Sequence, residues 1–251
     1  MKNSKIEWTD HTFNPWIGCT KVSTGCVNCY AEFRMDIRLK KVKWGPGHAR
    51  VRTSDDYWAQ PLRWNKAAKA AGERHRVFCA SLADVFDTVV PPEWRNDLWS
   101  LIEATPNLDW LLLTKRHRYM LDVIDRIGLP ANVWLGVSVE NQEMANARIP
   151  ALIQIHDHIR FLSMEPLLGP VDLSPWLNEP IKPMINWVIV GGESGPRARP
   201  MKPAWVDEIH RDCAASRTPF FFKQWGGVNK SSTGRILHGQ TYSEMPAIIQ
   251  P

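Results

Sequence analysis

A repeat of short apolar runs and helical segments organises the chain from residue 77 onward. Each run is rich in β-branched and aromatic residues, and a polar break and a segment of helical periodicity follow it. The runs begin roughly 23 to 33 residues apart, which suits one strand and one crossover helix per unit. The six runs are Val77–Ser81, Trp110–Thr114, Val133–Val137, Ile159–Ser163, Trp187–Val190 and Pro219–Lys223.

Helical segments separate these runs. Pro92 opens one helix and Pro203 opens another, because proline is favoured in the first helical turn. Residues 119–127 and 141–153 predict two more, and a first strand over 12–17 brings the number of units to about seven. Continuous apolar strands flanked by helices imply a parallel sheet covered on its outer face. The predicted fold class is therefore α/β, a complete or partial (β/α) TIM-type barrel in a single domain. An open doubly wound sheet is the alternative.

The predicted domain organisation has one barrel and two additions. The barrel is assigned to residues 1–227, with a basic, tryptophan-bearing and irregular insertion at about 31–75. Residues 228–251 are predicted to form a polar C-terminal tail. The chain starts without a signal-like apolar region, and no run approaches the ~18 apolar residues of a membrane span. We therefore expect a cytoplasmic protein without a membrane partner.

Positive charge is concentrated in two places. The net charge is +5, but the stretch from Arg34 to Arg52 has seven Lys and Arg residues against one acid, Asp36. A second cluster occupies residues 115–118. Basic clusters attract polyanions, nucleic acid foremost, although a solvated basic face is the plainer interpretation. The first stretch also contains three tryptophans that can stack on bases: Trp44, Trp58 and Trp64.

Three of the five cysteines lie within eleven residues, in the pattern C-x6-C-x2-C: Cys19, Cys26 and Cys29. In a chain without a signal sequence, this favours metal ligation over a disulfide framework. A structural zinc site needs a fourth ligand, for which the candidates are His11, His48 and Cys79. A catalytic zinc held by three cysteines activates water poorly. A 4Fe–4S cluster with three cysteine ligands leaves one iron open for a substrate or cofactor.

Polar residues follow almost every predicted strand. In barrels the functional groups lie on the loops after the carboxyl ends of the strands. The residues at these ends are Ser81, Asp84, Lys115, Ser138, Glu140, Asn141, Glu165, Gly191–Ser194, Lys223 and Gln224. Together with the cysteines they predict a site for a charged, polar ligand.

The pair Gly191-Gly192 comes directly after a buried strand and directly before Glu193. Glycines let the backbone turn sharply and approach a ligand closely, so we expect the pair to deliver the carboxylate to an ammonium group. A simple glycine-rich turn between strand and helix is the alternative.

The cysteine loop after the first strand, the adjacent Tyr30 and the Gly-Gly-Glu strand end resemble radical S-adenosylmethionine (SAM) enzymes. Most of the chain, from Trp8 to Gly226, more closely resembles a three-cysteine-motif family of phage and bacterial proteins that is described as radical-SAM-like. The resemblance implies that the cysteines hold a 4Fe–4S cluster whose open iron chelates the amino and carboxylate groups of SAM. Reductive cleavage would then give methionine and a 5′-deoxyadenosyl radical, with electrons from a reductase, a flavodoxin or a ferredoxin.

The chain departs from the usual radical SAM pattern in three ways. The first gap between cysteines has six residues instead of three, the aromatic residue follows the third cysteine instead of preceding it, and the Gly-Gly-Glu element comes late. Glu193 is therefore one of several candidates for the SAM ammonium. Ser81, Ser138 and Glu140 are the others. The predicted cofactor-binding residues are Tyr30, Ser81, Ser138, Glu140, Gly191, Gly192 and Glu193.

Basic residues interleaved with tryptophan favour a nucleic-acid substrate, DNA before RNA. Spore photoproduct lyase, which repairs a thymine lesion and returns hydrogen through a cysteine thiol, is the instructive analogue. We therefore expect lesion repair or base modification. Cys79 shares strand parity with Ser81 and faces the lumen if Ser81 does, although a small buried hydrophobe is the plainer reading. The catalytic candidates are Cys79, Glu165 and Lys115.

Two other functions remain open from the sequence. One is a radical SAM enzyme that acts on a small molecule. The other is a non-catalytic zinc or iron–sulfur protein that binds nucleic acid.

Overall fold

The computed structural model describes residue 4 and residues 6–177, 184–229 and 233–247. The chain divides into two compact units. The first unit comprises Met1–Val22 and Cys29–Leu135, and the second comprises Ser23–Asn28 and Gly136–Pro251.

Within the described ranges, the strands form a seven-stranded sheet in the order β1-β4-β5-β6-β7-β8-β9 and a two-stranded sheet of β2 and β3. In the first unit β4 pairs in parallel with β1 and β5, and in the second unit β8 pairs in parallel with β7 and β9. The predicted fold class, α/β with a partial (β/α) barrel sheet, is confirmed. The strands are β1 (His11–Phe13), β2 (Trp16–Ile17), β3 (Val51–Arg52), β4 (His75–Cys79), β5 (Leu108–Thr114), β6 (Val133–Ser138), β7 (Arg160–Met164), β8 (Trp187–Gly191) and β9 (Phe220–Gln224).

Helices connect these strands. The helices are α1 (Tyr30–Glu32), α2 (Asp55–Trp58), α3 (Gln60–Ala71), α4 (Pro92–Glu103), α5 (His117–Ile127), α6 (Gln142–Leu152), α7 (Ser174–Leu177) and α8 (Pro203–Ser216). A 3-10 turn covers Thr24–Cys26, and a π-helical segment, Phe33–Arg38, continues α1. Pro92 and Pro203 each occupy the first turn of their helix, as predicted. The side chain of Asn141 accepts a hydrogen bond from the backbone N–H of Met144 at 3.0 Å and so caps the start of α6.

The apolar runs form strands because their side chains are buried on both faces. All six residues of β6 and all five of β7 are buried, as expected for a sheet covered by helices. The six predicted runs lie within two residues of observed strands. The predicted first strand over 12–17 is instead divided into β1 and β2. Pro15 cannot donate to a ladder, and the side chain of Asn14 accepts from the N–H of Leu82 at 2.7 Å.

The stretch at 31–75 is not irregular as predicted, because α2 and α3 occupy most of its second half. The interpretation of its tryptophans as base-stacking residues was wrong, since the three rings are only 8%, 9% and 5% exposed: Trp44, Trp58 and Trp64. Phe13 packs edge-on against Trp58 and Trp64, and the ring of His11 stacks on Trp64. Trp58 and Trp64 are thus part of the core beside β1, whereas Trp44 is buried with Ala31 and Met35.

The predicted C-terminal tail is partly visible. Residues 230–232 and 248–251 lie outside the described residues. Residues 242–244 run antiparallel beside β9, where the N–H of Phe222 donates to the carbonyl of Tyr242 at 3.1 Å. Across the described chain, none of the helices combines the length and apolar character needed to cross a bilayer.

Candidate functional site

In the second unit, the cysteine loop residues Ser23–Asn28 pack closely against a buried carboxylate. Gly25 lies so close to Glu140 that a side chain of any size at position 25 would overlap the carboxyl group. The hydroxyl of Ser23 donates to Glu140 Oε1 at 3.0 Å. Glu140, which follows β6, therefore packs directly against the loop that contains Cys26.

A buried arginine holds Glu140 in place. Arg148 Nη1 lies 2.9 Å from Glu140 Oε2, and the two side chains are 2% and 0% exposed. The same nitrogen donates to the carbonyl of Ser138 at 2.7 Å. Removing one partner of such a pair leaves an uncompensated buried charge, so the pair anchors the end of β6 firmly. The carboxylate predicted to bind SAM is already engaged by protein groups.

Glu193 holds the other side of the same loop. Arg199 binds its carboxylate through two nitrogens, at 2.6 and 2.9 Å, and Asn28 Nδ2 donates to it at 2.9 Å. Burial alone would raise the pKa of Glu193, but the donors from Arg199 and Asn28 outweigh burial and hold this pKa below its usual range. Arg199 Nη2 also donates to the carbonyl of Thr24 at 2.9 Å. The ionised Glu193 thus holds segment 24–28 at two points: it contacts Asn28 directly, and it contacts Thr24 through Arg199.

Protein atoms occupy the positions that side chains would take at Gly191 and Gly192. Neither glycine has a positive φ. A side chain at position 192 would overlap the backbone carbonyl of Trp225, and one at 191 would come within 2.5 Å of Glu165 Oε1. The space that the missing side chains leave is filled by protein atoms, so close packing of β8 and β9 explains this pair.

In the first unit, Cys19 lies beside a guanidinium group. Arg116 Nη1 donates to Cys19 Sγ at 3.5 Å and to Asp84 Oδ2 at 3.2 Å, and its Nη2 donates to the carbonyl of Thr20 at 2.9 Å. The pKa of Cys19 is raised to about 12, first by burial and then by the negative charge of Asp84, and Arg116 offsets part of this rise. Arg116 is the cationic group that can offset negative charge at this sulfur.

A second buried arginine supports the same loop. Arg50 lies 2.7 Å from Asp87, with side-chain exposures of 0% and 1%, and Arg50 Nη2 donates to the hydroxyl of Thr20 at 2.6 Å. Arg50 and Arg116 both belong to the clusters that the sequence analysis assigned to a polyanion. That assignment was wrong for these two residues, because their side chains point into the protein toward Asp84 and Asp87.

Sequence reasoning missed the roles of Arg50, Arg116 and Asp87 because the paired residues lie 29 to 37 positions apart in the chain. One signal could have found them. Asp84 and Asp87 follow the predicted strand end at Ser81, and buried carboxylates on such loops need cationic partners.

The helix after the cysteines covers Cys29. Ala31, Met35 and Trp44 form a small buried cluster against which Cys19, Cys29, Ile17 and Leu82 pack. The hydroxyl of Tyr30 donates to the carbonyl of Ser81 at 2.6 Å, although the ring is 53% exposed. Ser81 Oγ in turn contacts the side-chain amide of Asn14 at 3.2 Å. Two of the predicted cofactor residues, Tyr30 and Ser81, therefore contact each other.

The three catalytic candidates have different surroundings. Cys79 is completely buried in β4 between Phe13 and Leu112 of the neighbouring strands, and burial raises the pKa of its thiol well above its usual value. Glu165 pairs with Lys223 at 2.8 Å. The backbone N–H of Lys115 donates to Asp84 at 3.2 Å. Within the second unit, Glu165 and Lys223 thus bring two of the predicted strand ends together.

Cysteine thiolates are the usual ligands of iron–sulfur clusters. All five cysteines lie in described ranges and none forms a disulfide; Cys19, Cys26 and Cys29 are half-buried, whereas Cys79 and Cys213 are buried. Arg116 supplies an N–H donor to one sulfur and Ser23 Oγ lies 3.9 Å from another, and such donors stabilise charged clusters. Over the residues that the structure describes, no three His, Cys, Asp or Glu side chains are arranged to hold a metal ion.

The fold resembles that of solved structures of spore photoproduct lyase. A solved mutant structure of spore photoproduct lyase matches with a TM-score of 0.52 and 16% identity over 86% of this chain. A second mutant structure of that protein, with a dinucleoside spore photoproduct, matches with a TM-score of 0.50 and 13% identity over 86% of this chain. The alignments cover 64% and 63% of the lyase chains, so this chain spans less than two thirds of their length. At these identities the likeness shows the fold alone.

The chain belongs to the family described as "Protein of unknown function (DUF5131)", whose pattern matches residues 3–246. No curated protein matches the sequence.

Proposed function

We propose that the protein is a radical SAM enzyme in which Cys19, Cys26 and Cys29 ligate a 4Fe–4S cluster. The observation that carries the proposal is the position of the cysteine motif. It follows β1 and β2 at the start of a fold similar to that of spore photoproduct lyase, and all three cysteines are free of disulfides and half-buried. The closer resemblance to a three-cysteine-motif family of phage and bacterial proteins is consistent with this proposal.

With a cluster and SAM bound, reductive cleavage of SAM supplies a 5′-deoxyadenosyl radical. The residues of this chain orient the cysteines for that chemistry. Glu140 and Glu193 hold the loop that contains Cys26, and Arg116 offsets charge at Cys19. We assign both glutamates as positioning residues, because each already binds an arginine.

The proposed SAM contacts therefore rest on the other predicted residues. Ser81 follows β4, and Ser138 is the last residue of β6. These two serines replace Glu193 as the proposed contacts of the SAM ammonium group. Tyr30 lies beside Ser81, and Gly191 and Gly192 contribute backbone only.

Cys79 is the proposed hydrogen donor. Its buried environment keeps the thiol protonated, and a hydrogen-atom donor must hold its S–H bond intact. Glu165 and Lys115 are proposed to contact the substrate, and Lys223 Nζ holds the Glu165 carboxylate in position at 2.8 Å.

We propose a nucleic-acid base as the substrate, DNA before RNA, in lesion repair or base modification. Two observations support this. The fold is similar to that of a lyase whose structure contains a dinucleoside spore photoproduct, and the chain carries a net charge of +5. A small-molecule substrate is the alternative within the same enzyme class.

Anaerobic reconstitution tests the proposal. We expect about four iron and four sulfide per chain, an electron paramagnetic resonance signal on reduction that changes when SAM is added, and release of 5′-deoxyadenosine with dithionite. Cys26→Ala should abolish all three observations. Cys213→Ala removes a buried thiol in α8 instead and serves as the matched control, which should keep the cluster.

Other outcomes separate the alternatives. One zinc per chain in a colourless protein would contradict both enzyme interpretations and support a non-catalytic zinc protein. Binding to single-stranded DNA that does not weaken with added salt would remove the electrostatic argument for nucleic acid and favour a small-molecule substrate.

A further inference from the structure

A helix with two unlike faces follows the third cysteine. This post-cysteine helix, residues 30–38, comprises α1 and the π-helical segment. Its inner residues, Ala31 and Met35, are buried with Trp44, and Cys19 and Cys29 pack against them. A helix with its side chains is about 10–12 Å across. The outer surface of this helix is therefore about one helix width from two of the proposed cluster ligands.

The outer face of this helix exposes several large apolar side chains to solvent. Four large hydrophobic side chains in ten residues are 41–53% exposed: Tyr30, Phe33, Ile37 and Leu39. We call these four residues and the exposed basic residues among and after them the docking patch. The basic members are Arg34, Arg38, Lys40, Lys41 and Lys43. Exposed apolar groups concentrated in one place indicate an interaction surface more than scattered single residues do.

The charge of the docking patch is strongly positive. Over residues 30–43 the acids are Glu32, which pairs with Lys21 at 2.6 Å, and Asp36, which accepts from the N–H of Trp44 at 2.8 Å. Lys43 also pairs with Asp36 at 3.5 Å, and four more exposed cations surround the apolar centre: Arg34, Arg38, Lys40 and Lys41. An apolar centre with a charged rim is the usual anatomy of a protein-docking surface, and small surfaces of this kind suit transient redox partners.

We propose that the docking patch binds an acidic electron-carrier protein of the flavodoxin or ferredoxin type, which reduces the cluster through the post-cysteine helix. The inference rests on the proposed function. One electron leaves the reduced carrier, which is oxidised, and enters the cluster, which is reduced from the 2+ to the 1+ state, without transfer of a proton or a leaving group. Charge complementarity favours an acidic partner.

The apolar side chains favour a protein partner over a nucleic acid. Single-stranded nucleic acid binds through aromatic rings on which bases stack. Ile37 and Leu39 have no ring, and the exposed Tyr30 is held by its hydroxyl to Ser81. The aliphatic half of the patch is thus suited to apolar side chains of another protein.

The experiment measures the rate of cluster reduction by two reductants. The reconstituted protein is mixed anaerobically with photoreduced flavodoxin or with dithionite, and the bleaching of the cluster near 420 nm is followed by stopped flow. The test variants are Arg34→Glu/Arg38→Glu and Ile37→Ser. The control is Lys66→Glu/Lys69→Glu, which makes the same change in net charge on exposed positions of α3.

We expect reduction by flavodoxin to slow at least tenfold in Arg34→Glu/Arg38→Glu and several-fold in Ile37→Ser, and to change less than twofold in the control. The rate at which flavodoxin reduces the wild type should fall as salt is added, because salt screens the attraction between the basic rim and the acidic partner. Reduction by dithionite should be the same in all four proteins, which also shows that the variants are folded and loaded.

Three results would overturn the proposal. Equal slowing in the test and control variants would show an effect of net charge alone. Normal reduction of the test variants by flavodoxin, together with lost binding of single-stranded DNA, would assign the patch to nucleic acid. Concentration-dependent dimerisation that Ile37→Ser abolishes, with normal reduction, would assign it to a second copy. A wild type that forms no 5′-deoxyadenosine with dithionite would refute the proposed function itself, independently of the patch.

Discussion

Arg116 shows how one residue of a sequence cluster acquires a specific role. It follows Lys115 in a run of basic residues, yet its guanidinium contacts Cys19 Sγ, Asp84 and the carbonyl of Thr20. Lysine could not make these contacts simultaneously, because only a guanidinium presents several donors in a fixed planar arrangement. The neighbouring Arg118 is exposed and is suited to serve as its control.

Replacing Arg116 should change the reduction potential of the proposed cluster. In Arg116→Gln the cation beside Cys19 is lost, so the more negative, reduced state of the cluster loses stabilisation and the potential falls. We expect a shift on the order of 60 mV, which is about tenfold in the one-electron equilibrium. Arg116→Lys should give a smaller shift.

Potentiometric titration followed by electron paramagnetic resonance gives this measurement without reference to turnover. Arg118→Gln should leave the potential unchanged. An Arg116→Gln protein with the wild-type potential would show that the guanidinium does not act on the cluster.

Gly25 makes a second residue-scale prediction. A methyl group at this position overlaps the carboxyl group of Glu140, which Arg148 prevents from moving. Gly25→Ala should cost about 1–3 kcal/mol of stability, as overpacking does, and lower the iron bound per chain. Thermal unfolding and iron analysis measure the two effects.

Gly169→Ala is the matched control in the same unit, because its nearest neighbour would be Asn141 Cβ at 3.5 Å, an ordinary contact. If both variants unfolded at the wild-type temperature, the close packing of the cysteine loop on Glu140 would be refuted.

At the scale of the element, the strands could be predicted and the helices of the 31–75 stretch could not. The runs that became β4 to β9 are apolar on both faces, so their pattern does not depend on any partner. Helix α3 carries Arg63, Lys66 and Lys69 on its exposed side and buries only Pro61, Trp64 and Ala68. Its apolar stripe is narrow, and the surrounding basic residues resemble a solvated loop.

The element pair β1 and β4 yields a prediction on pH. Asp10 Oδ2 accepts from the backbone N–H of Arg76 at 2.7 Å and from its guanidinium at 3.3 Å. Burial alone would raise the pKa of Asp10, but these donors outweigh it and hold this pKa below the usual value. A carboxyl group with a lowered pKa stabilises the fold above its unfolded pKa, near 4, and this contribution is lost as the pH falls through the folded pKa.

Asp10→Asn should therefore flatten the acid limb of the stability curve below about pH 4. Urea unfolding between pH 2.5 and 6 measures this, and Arg76→Gln, which keeps the backbone donor, should give a smaller flattening. Parallel curves for Asp10→Asn and the wild type would contradict the assignment.

At the scale of the whole molecule, the sequence predicts the fold class and the cysteine motif but not the contacts around them. Glu140 and Glu193 were predicted as cofactor ligands because they follow strands. Their binding of Arg148 and Arg199 instead depends on side-chain directions that no spacing reveals. The close packing at Gly191-Gly192 could not be predicted for a similar reason, since the atoms that leave no room for side chains there belong to Glu165 and Trp225.

The burial of the five cysteines divides the thiols of the whole chain into two classes. Cys19, Cys26 and Cys29 are half-buried, whereas Cys79 and Cys213 are buried. In the reduced, metal-free protein we expect N-ethylmaleimide to alkylate three thiols under native conditions, Cys19 more slowly than Cys26 because its pKa is raised, and five after unfolding, as counted by mass spectrometry. Native alkylation at Cys79 or Cys213 at a rate similar to that at Cys26 would contradict the burial of these two side chains.

This division has a practical consequence for handling the protein. Air oxidation and heavy-metal contamination would reach the three outer thiols first, while the two inner ones act as an internal standard within every molecule. The number of alkylated thiols per chain then reports, from micrograms of material, how completely a preparation is loaded.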